Sequence, residues 1–159
     1  MELYTPRLHL KSLEETDSDL LFDLSKDFTI SQYWTSIRNS TETIRKGTMT
    51  GIYLLDETFI GALDVSKIND TTVNMDYGLY TKYTKNGYCK EAVQNMIKYL
   101  QNQSIATIVF TIAPHNHASR HFLNHFQCKR SIQREHPCLE YEKYELDISR
   151  NKDDKERVC

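Results

Sequence analysis

The sequence lacks long apolar runs and has little excess charge of either sign. A membrane-spanning helix needs about 20 consecutive, mainly apolar residues, and no stretch approaches that length. The formal net charge is −2 and the isoelectric point lies near 6.3, whereas nucleic-acid-binding domains usually carry a strongly basic face. We therefore expect no membrane partner and no nucleic-acid partner.

Cysteine pairs with C-x-x-C spacing are also missing, although the chain contains four cysteines. The first six residues, Met-Glu-Leu-Tyr-Thr-Pro, have neither the basic start nor the apolar centre of a signal peptide. A cytoplasmic location is therefore expected, where thiols stay reduced. We expect no disulfide framework among the four residues, which are Cys89, Cys128, Cys138 and Cys159.

Glycine is scarce, with five residues in 159, and Gly87 stands where a strand-like run meets an amphipathic pattern. A turn that opens a helix presents unpaired backbone N–H groups beside the positive end of the helix dipole. Glycine at such a turn lets a ligand approach the main chain closely. The segment therefore suits an anion such as phosphate, although an ordinary turn is the alternative.

The length and the mixture of 39% hydrophobic and 26% charged residues are typical of one globular domain. We predict a single α+β domain over residues 1–149, followed by a charged, disordered tail over 150–159. Its sheet should be mixed and mostly antiparallel, with about four helices around it. In the first half of the chain we predict a strand from Leu8 to Leu13, a helix after Thr16, an irregular aromatic segment from Phe28 to Arg38, a helix from Ser40 to Lys46 and a hairpin over 51–66. In the second half we predict a two-faced strand from Val73, a helix after Gly87, a strand from Ile105 to Ile112, a helix capped by Asn116 and a strand from Leu139 to Ile148.

Three motifs occur in a fixed order along the chain: Thr5-Pro-Arg-Leu-His-Leu, Thr84-Lys-Asn-Gly-Tyr-Cys-Lys-Glu-Ala, and Pro114-His-Asn-His-Ala-Ser. Together they resemble the GNAT superfamily of N-acetyltransferases. The resemblance is greatest to the branch of the ribosomal-protein N-terminal acetyltransferases RimJ and RimL, and it covers the chain from about Leu3 to Ile148. It implies the GNAT fold, in which two neighbouring strands of the sheet splay apart.

The resemblance also implies acetyl-CoA as the co-substrate. In this superfamily a loop wraps the pyrophosphate of coenzyme A with main-chain N–H groups, and the end of the preceding strand pairs with the pantetheine arm. Thr84 departs from the usual Gln or Arg, and Cys89 from the usual Gly or Ala. The implied cofactor-binding residues are Leu79, Tyr80, Thr81, Thr84, Lys85, Asn86, Gly87, Tyr88, Cys89, Asn116 and Ser119.

Acetyl transfer to an amine needs a neutral nucleophile and a proton for the departing thiolate. Many relatives donate that proton from a tyrosine, but Leu123 occupies the position here, which leaves Ser119 as the candidate donor. A first-turn serine that only satisfies backbone groups is the alternative. Asp76 and Glu140 are the candidate general bases, although either could be a solvated surface charge.

The sequence of predicted helical and loop residues around these motifs also allows two other chemistries. Cys89 near a helix N-terminus could be a low-pKa nucleophile, but we favour a small residue tolerated for close backbone approach. His117, His121 and His125 have helical i, i+4, i+8 spacing, which permits a zinc site with Cys128. A solvated polar stripe is the preferred interpretation, so we expect no metal.

The predicted function is direct transfer of an acetyl group from acetyl-CoA to a primary amine of a small molecule or a peptide N-terminus. The alternative is a catalytically weak or inactive GNAT-fold module that binds acyl-CoA, since Asn74, Thr84 and Leu123 replace familiar functional residues. A homodimer is a possible assembly. The acceptor depends on loops rather than on the motifs.

Overall fold

The computed structural model describes residues 1–34, 37, 44–136 and 139–149, with the side chains of 132–140 outside the description. The chain divides into two compact units. Unit 1 contains Met1–Val65 and Asp76–Met96, and unit 2 contains Ser66–Met75 and the chain from Ile97 onward. The predicted disordered tail at 150–159 lies outside the described residues, and the single domain over 1–149 stays a prediction.

Eight strands are described, and their hydrogen-bonded order is β1-β2-β3-β4-β5-β6-β8-β7. Among the described strand pairs only β5 and β6 are parallel, so the sheet is mixed and mostly antiparallel, as predicted. The strands are β1 (Glu2–Tyr4), β2 (Leu8–Ser12), β3 (Met49–Leu54), β4 (Phe59–Asn69), β5 (Thr72–Leu79), β6 (Thr107–Ile112), β7 (Lys129–His136) and β8 (Leu139–Asp147).

Four α-helices are described, as the sequence predicted in number. They are α1 (Ser18–Ser25), α2 (Phe28–Tyr33), α3 (Tyr88–Asn102) and α4 (His117–His125). Short 3-10 turns cover Glu15–Asp17 and Thr81–Tyr83. Most of the helix predicted over Ser40 to Lys46 lies outside the described residues, although residues 44 and 45 are helical.

The prediction of an irregular segment from Phe28 to Arg38 is wrong for its first half, because α2 occupies Phe28–Tyr33. Asp27 is the reason. Its carboxylate accepts hydrogen bonds from the backbone N–H groups of Thr29 (3.1 Å) and Ile30 (3.4 Å), which are unpaired donors in the first turn. This N-cap allows a helix of six residues to form where aromatic composition alone suggested a loop.

Unit 1 packs α1 and α2 against one face of its strands. Leu21, Leu24, Ile30 and Trp34 belong to the same buried cluster as Ala62 of β4. A Cβ added at Gly78 of β5 would lie 2.3 Å from Cδ1 of Ile30, so this glycine permits close packing of α2 on the strand. The apolar stripe of α1 thus buries itself as its spacing predicted.

Strand β5 has the two faces that its alternation predicted. Val73, Met75 and Leu79 are buried, whereas Asn74 and Asp76 are half-buried. The parallel pairing of β5 with β6 joins Thr72–Asn74 to Thr107–Val109. Strand β5 continues from there to Leu79, and β6 continues to Ile112.

Unit 2 contains a long antiparallel ladder between β6 and β8, and a second between β8 and β7. Phe110 lies opposite Tyr144 in the first ladder, and both side chains are buried. Strand β7 was not predicted, because its sequence Lys-Arg-Ser-Ile-Gln-Arg-Glu-His has little apolar alternation. Strand β1 was also missed, since three residues are too short to show a period.

Candidate functional site

The loop before α3 has the backbone geometry of an anion site. Gly87 has φ of +78°, and Lys85 has φ of +66°, so two nearby residues adopt the left-handed conformation. Alternation of left- and right-handed residues turns successive N–H groups toward one concave side. Glu91 N–H donates to Gly87 C=O (3.1 Å), which makes Tyr88, Cys89 and Lys90 the first turn of α3 with no intrahelical acceptor for their N–H groups.

The rest of the loop is held by its own side chains. The hydroxyl of Thr84 donates to the carbonyl oxygen of Thr81 at 2.7 Å. The side-chain amide of Asn86 donates to the carbonyl oxygen of Thr84 at 3.1 Å. Thr84 therefore stabilises the entry to the loop, in a position where relatives carry Gln or Arg.

Two of the sequence motifs meet at this loop. Glu91 of α3 accepts hydrogen bonds from the hydroxyl of Thr5, from the backbone N–H of Arg7 (3.0 Å) and from Nε of Arg7 (2.7 Å). Burial acts to raise the pKa of Glu91, but the hydrogen bonds from Thr5 and Arg7 and the charge of Arg7 outweigh it, so the pKa lies below its usual value. Thr5, Arg7 and Glu91 are all motif positions, but the sequence did not predict that they are in contact.

The predicted pantetheine strand ends in a network with the α1–α2 region. Thr81 donates to the carboxylate of Asp27 through its backbone N–H (2.9 Å) and its hydroxyl (2.7 Å). The hydroxyl of Tyr80 donates to Asp23, and its backbone N–H donates to Ile60 of β4 (2.9 Å). The polar main-chain N–H groups of Tyr80 and Thr81 are therefore already bonded within the protein.

Leu79 differs from its neighbours in the direction of its main-chain groups. Successive residues of a strand direct N–H and C=O to opposite edges. Because Tyr80 directs its N–H toward β4, Leu79 directs its own N–H and C=O to the other edge of β5. The Leu79 side chain is buried, with 6% exposed.

Asn116 is the N-cap of α4, as predicted. Its side-chain oxygen accepts a hydrogen bond from the backbone N–H of Ser119 at 3.2 Å, and the residue is buried. Ser119 is half-buried in the first turn of the helix. Leu123, one turn further, is fully buried, so the position that carries tyrosine in many relatives is part of the core here.

A buried ion cluster fixes the same helix to β8, and sequence reasoning missed it. Glu142 is 2% exposed and accepts hydrogen bonds from Arg120 of α4, Arg130 of β7 and the hydroxyl of Tyr144. Arg120 also donates to the carbonyl oxygen of Pro114. Burial acts to raise the pKa of Glu142, but the bonds from Tyr144 and Arg120 and the two arginine charges lower it overall.

The two candidate bases lie on different strands. Asp76 is half-buried on the polar face of β5. Glu140 lies in β8 opposite Arg134, and its side chain is outside the described part of the structure. Neither position identifies a base by its geometry.

Cys89 does not have the environment of an activated nucleophile. Burial raises the pKa of its thiol to about 12, although a helix N-terminus would act in the opposite direction. The thiol is therefore protonated near neutral pH. This result favours the interpretation of Cys89 as a small residue beside the loop main chain.

The histidine stripe of α4 is exposed at His117, His121 and His125. Among the described residues, no group of three or more His, Cys, Asp or Glu side chains could hold a metal ion. No described helix has the length and apolar character needed to cross a membrane.

The family model described as "Acetyltransferase (GNAT) domain" matches residues 7–129, which is more than half of the chain. No curated protein sequence matches the chain.

Solved structures with low sequence identity share the fold. A GNAT-family acetyltransferase from Bacillus anthracis matches with a TM-score of 0.80 and 18% identity, over 93% of this chain and 99% of its own. RimL, a ribosomal L7/L12 α-N-protein acetyltransferase in complex with coenzyme A, matches with a TM-score of 0.79 and 15% identity, over 95% and 100%. A spermidine N-acetyltransferase chimera that includes Vibrio cholerae SpeG matches with a TM-score of 0.71 and 14% identity, over 89% and 95%.

Proposed function

Because the chain belongs to the acetyltransferase (GNAT) family, we propose that it transfers an acetyl group from acetyl-CoA directly to a primary amine of a small molecule or a peptide N-terminus. The observation that carries the proposal is the loop over residues 84–89, whose left-handed residues lead into the N–H groups of the first turn of α3. Oriented main-chain donors at a helix N-terminus suit a pyrophosphate. The loop lies within the matched family region.

The proposal divides the predicted cofactor residues by the groups they can offer. Lys85, Asn86, Gly87, Tyr88 and Cys89 would bind the pyrophosphate through their backbone, so the unusual Thr84 and Cys89 side chains need not weaken it. Thr84 would act on the loop by its bond to Thr81. This division predicts that side-chain changes at position 89 matter less than changes at position 87.

Leu79 is the proposed partner of the pantetheine arm. Its N–H and C=O point away from β4, whereas the N–H groups of Tyr80 and Thr81 are bonded to Ile60 and Asp27. An extended ligand amide can add to a free strand edge in the manner of another strand. Tyr80 and Thr81 would then support the end of the strand.

Ser119 is the proposed proton donor to the departing thiolate, with Asn116 as a neighbouring cofactor contact. The amine nitrogen would form the new bond to the acetyl carbon, the carbon–sulfur bond would break, and the sulfur would take a proton from the hydroxyl. Asp76 or Glu140 would accept the proton that the amine loses and release it to solvent, and solvent would return a proton to the serine oxygen. General acid catalysis is typically worth about 10²–10⁴-fold in rate.

Ser119→Ala tests this role cleanly. The substitution removes the hydroxyl but keeps the backbone N–H from which Asn116 accepts, so the helix cap remains. We expect kcat to fall by about 10²-fold or more with an unchanged affinity for coenzyme A. An unchanged kcat would assign the serine to the helix turn alone.

Turnover itself is tested by thiol release from acetyl-CoA with a panel of amines. The panel takes spermidine and L7/L12 N-terminal peptides from the named activities of the structural neighbours, with amino sugars and aminoglycosides added. Heat stabilisation by millimolar acetyl-CoA is expected first, because a ligand that binds only the folded state raises its stability. Without that stabilisation the proposal fails.

The alternative is a GNAT-fold module that holds acyl-CoA without turnover, and the buried Leu123 in place of a proton-donating tyrosine favours it. Stabilisation by acetyl-CoA with no thiol release across the panel would support the module. With the proposed acetyltransferase function we also propose a single domain over 1–149, a cytoplasmic location and a homodimer.

A further inference from the structure

Arg7 contacts both the loop before α3 and the first turn of that helix. Its Nε donates to Glu91 at 2.7 Å, and its Nη1 donates to the carbonyl oxygen of Asn86 at 2.9 Å. Its guanidinium carbon lies 4.5 Å from the centre of the Tyr88 ring. Its Nη2 is 3.4 Å from a Cβ built on Gly87. One side chain thus bonds to Asn86 before the helix and contacts the first turn of the helix itself.

We propose that Arg7 is a positioning residue for the coenzyme A phosphates, acting by holding the loop over 84–89 in its anion-binding conformation. The proposal rests on the proposed function, because the ligand of the loop is taken from it. Charge-assisted hydrogen bonds are about twice as strong as neutral ones, and a guanidinium can make several in a fixed plane. This geometry suits a residue that must hold a carbonyl and a carboxylate at the same time.

The loop needs such an anchor because its backbone is strained. Lys85 has φ of +66° without being glycine, and such conformations persist only where the surroundings enforce them. The bond from Arg7 to Asn86 C=O fixes the peptide that joins Asn86 to Gly87. The C=O and N–H of a planar trans peptide point in opposite directions, so this bond directs the N–H of Gly87 away from Arg7, where it is available to an anion.

Glu91 makes the anchor rigid. Its carboxylate is bonded to Arg7 by both the backbone N–H and Nε, and also to the Thr5 hydroxyl. The arginine side chain is 46% exposed, whereas that of Glu91 is 19% exposed. Glu91 offsets the charge of Arg7, so the expected effect on the ligand comes through loop geometry rather than through the net charge of the site.

The test measures dissociation constants of coenzyme A and of dephospho-coenzyme A by titration calorimetry for the wild type and for Arg7→Ala. We expect roughly 10- to 100-fold weaker binding of both ligands by the variant, by the same factor, because both carry the pyrophosphate. Arg45→Ala is the matched control. It removes an arginine paired with Glu15 at 3.1 Å and should leave both constants unchanged.

Arg7→Lys distinguishes the effect of the planar guanidinium group from the effect of its positive charge. A lysine keeps one positive charge but cannot hold Glu91 and Asn86 together in one plane, so its affinity should lie near that of Arg7→Ala. Wild-type affinity in Arg7→Lys, or in Arg7→Ala, would overturn the proposal. A loss confined to coenzyme A would also overturn it, because it would indicate a contact with the 3′-phosphate instead of an effect on the loop.

Thermal unfolding without ligand checks that each variant is folded. If Arg7→Ala does not fold, Glu91→Gln tests the same anchor by removing the carboxylate to which Arg7 is bonded. That variant keeps the size of the side chain but loses the carboxylate, and a weaker coenzyme A affinity by severalfold is expected. Unchanged affinity would overturn the proposal. If the wild type itself binds neither ligand, it is the proposed function that fails.

Discussion

Arg120 and Glu142 form a two-point ion pair between α4 and β8. Nε of Arg120 lies 3.1 Å from Oε2 of Glu142, and Nη2 lies 2.7 Å from Oε1. The same arginine donates to Pro114 C=O just before the helix. The pair therefore fixes the first turn of α4, where Asn116 and Ser119 lie.

Arg120→Met should destabilise the protein by about 2 kcal/mol. The Glu142 side chain is 3% exposed and would lose two hydrogen bonds, and a buried charge that loses its partner is costly. Arg130 and Tyr144 remain bonded to it, which keeps the cost below the usual 3–5 kcal/mol for a buried pair.

Urea unfolding measures this effect, and Arg45→Met is its control. Arg45 and Glu15 are both mostly exposed, at 66% and 60% of their side chains, so their pair should contribute about 1 kcal/mol or less. Equal losses of unfolding free energy in the two variants would contradict the prediction that the buried Glu142 pair stabilises the protein more than the exposed Glu15 pair.

The stability of the wild type should fall in acid partly because of Glu142. Its pKa in the folded state lies below the ordinary value of 4.5, so the folded protein binds that proton less readily than the unfolded chain. The contribution is present above pH 4.5 and is lost as the pH falls through the folded-state pKa. Glu142→Gln should therefore be less stable at pH 7 but lose less stability in acid.

Unfolding free energies of the two proteins between pH 7 and pH 3 test the sign of this effect. The difference between them should narrow below pH 4.5, since the protonated glutamic acid and the glutamine are both uncharged. A difference that widens in acid would show that Glu142 is not the linked group.

Local patterns predicted the parts of the site that one segment forms by itself. Gly87 was identified as a loop residue from its place between two patterns, and its φ of +78° confirms that a turn there uses its freedom. Asn116 was identified as an N-cap because the amide follows a strand and precedes a helical spacing, and it caps α4. Both inferences need only a few neighbouring residues.

Contacts between distant segments were not predictable in the same way. Arg7 and Glu91 are 84 residues apart, and Arg120 and Glu142 are 22 apart. A single sequence gives no register for such pairs, so Arg7 and Glu91 appeared only as members of separate motifs and the Arg120–Glu142 pair was not identified. Helix α2 was missed for a different reason, because the aromatic composition of its segment suggested a loop and Asp27 was not identified as an N-cap.

Cys89 should react slowly with iodoacetamide in the folded protein. Burial raises the pKa of the thiol to about 12, so the reactive thiolate form is scarce near pH 8. The same peptide, followed by mass spectrometry after unfolding in urea, should be modified at an ordinary rate.

Cys89→Ala completes that test, because a small spacer can be replaced by another small residue. We expect its coenzyme A affinity and any thiol-release activity to stay within about threefold of wild type, a free-energy change below about 0.7 kcal/mol. Rapid alkylation together with loss of turnover would instead identify Cys89 as a nucleophile.

Gly87→Ala and Gly47→Ala provide a matched comparison of stability and binding. Both glycines have positive φ, +78° and +71°, and an added Cβ meets nothing closer than 3.4 Å at either position. Each alanine should therefore cost about 1–2 kcal/mol of stability from backbone strain alone. Position 47 lies far along the chain from the loop, in the turn that follows residues 44 and 45.

We expect only Gly87→Ala to weaken coenzyme A binding, by at least tenfold. Its Cβ would lie beside Arg7, and relaxation of the backbone strain would reorient the N–H groups of the first helical turn. Calorimetric titration at a temperature where both variants are folded measures the difference. Equal affinities in the two variants would remove Gly87 from the binding site, whatever the change in stability.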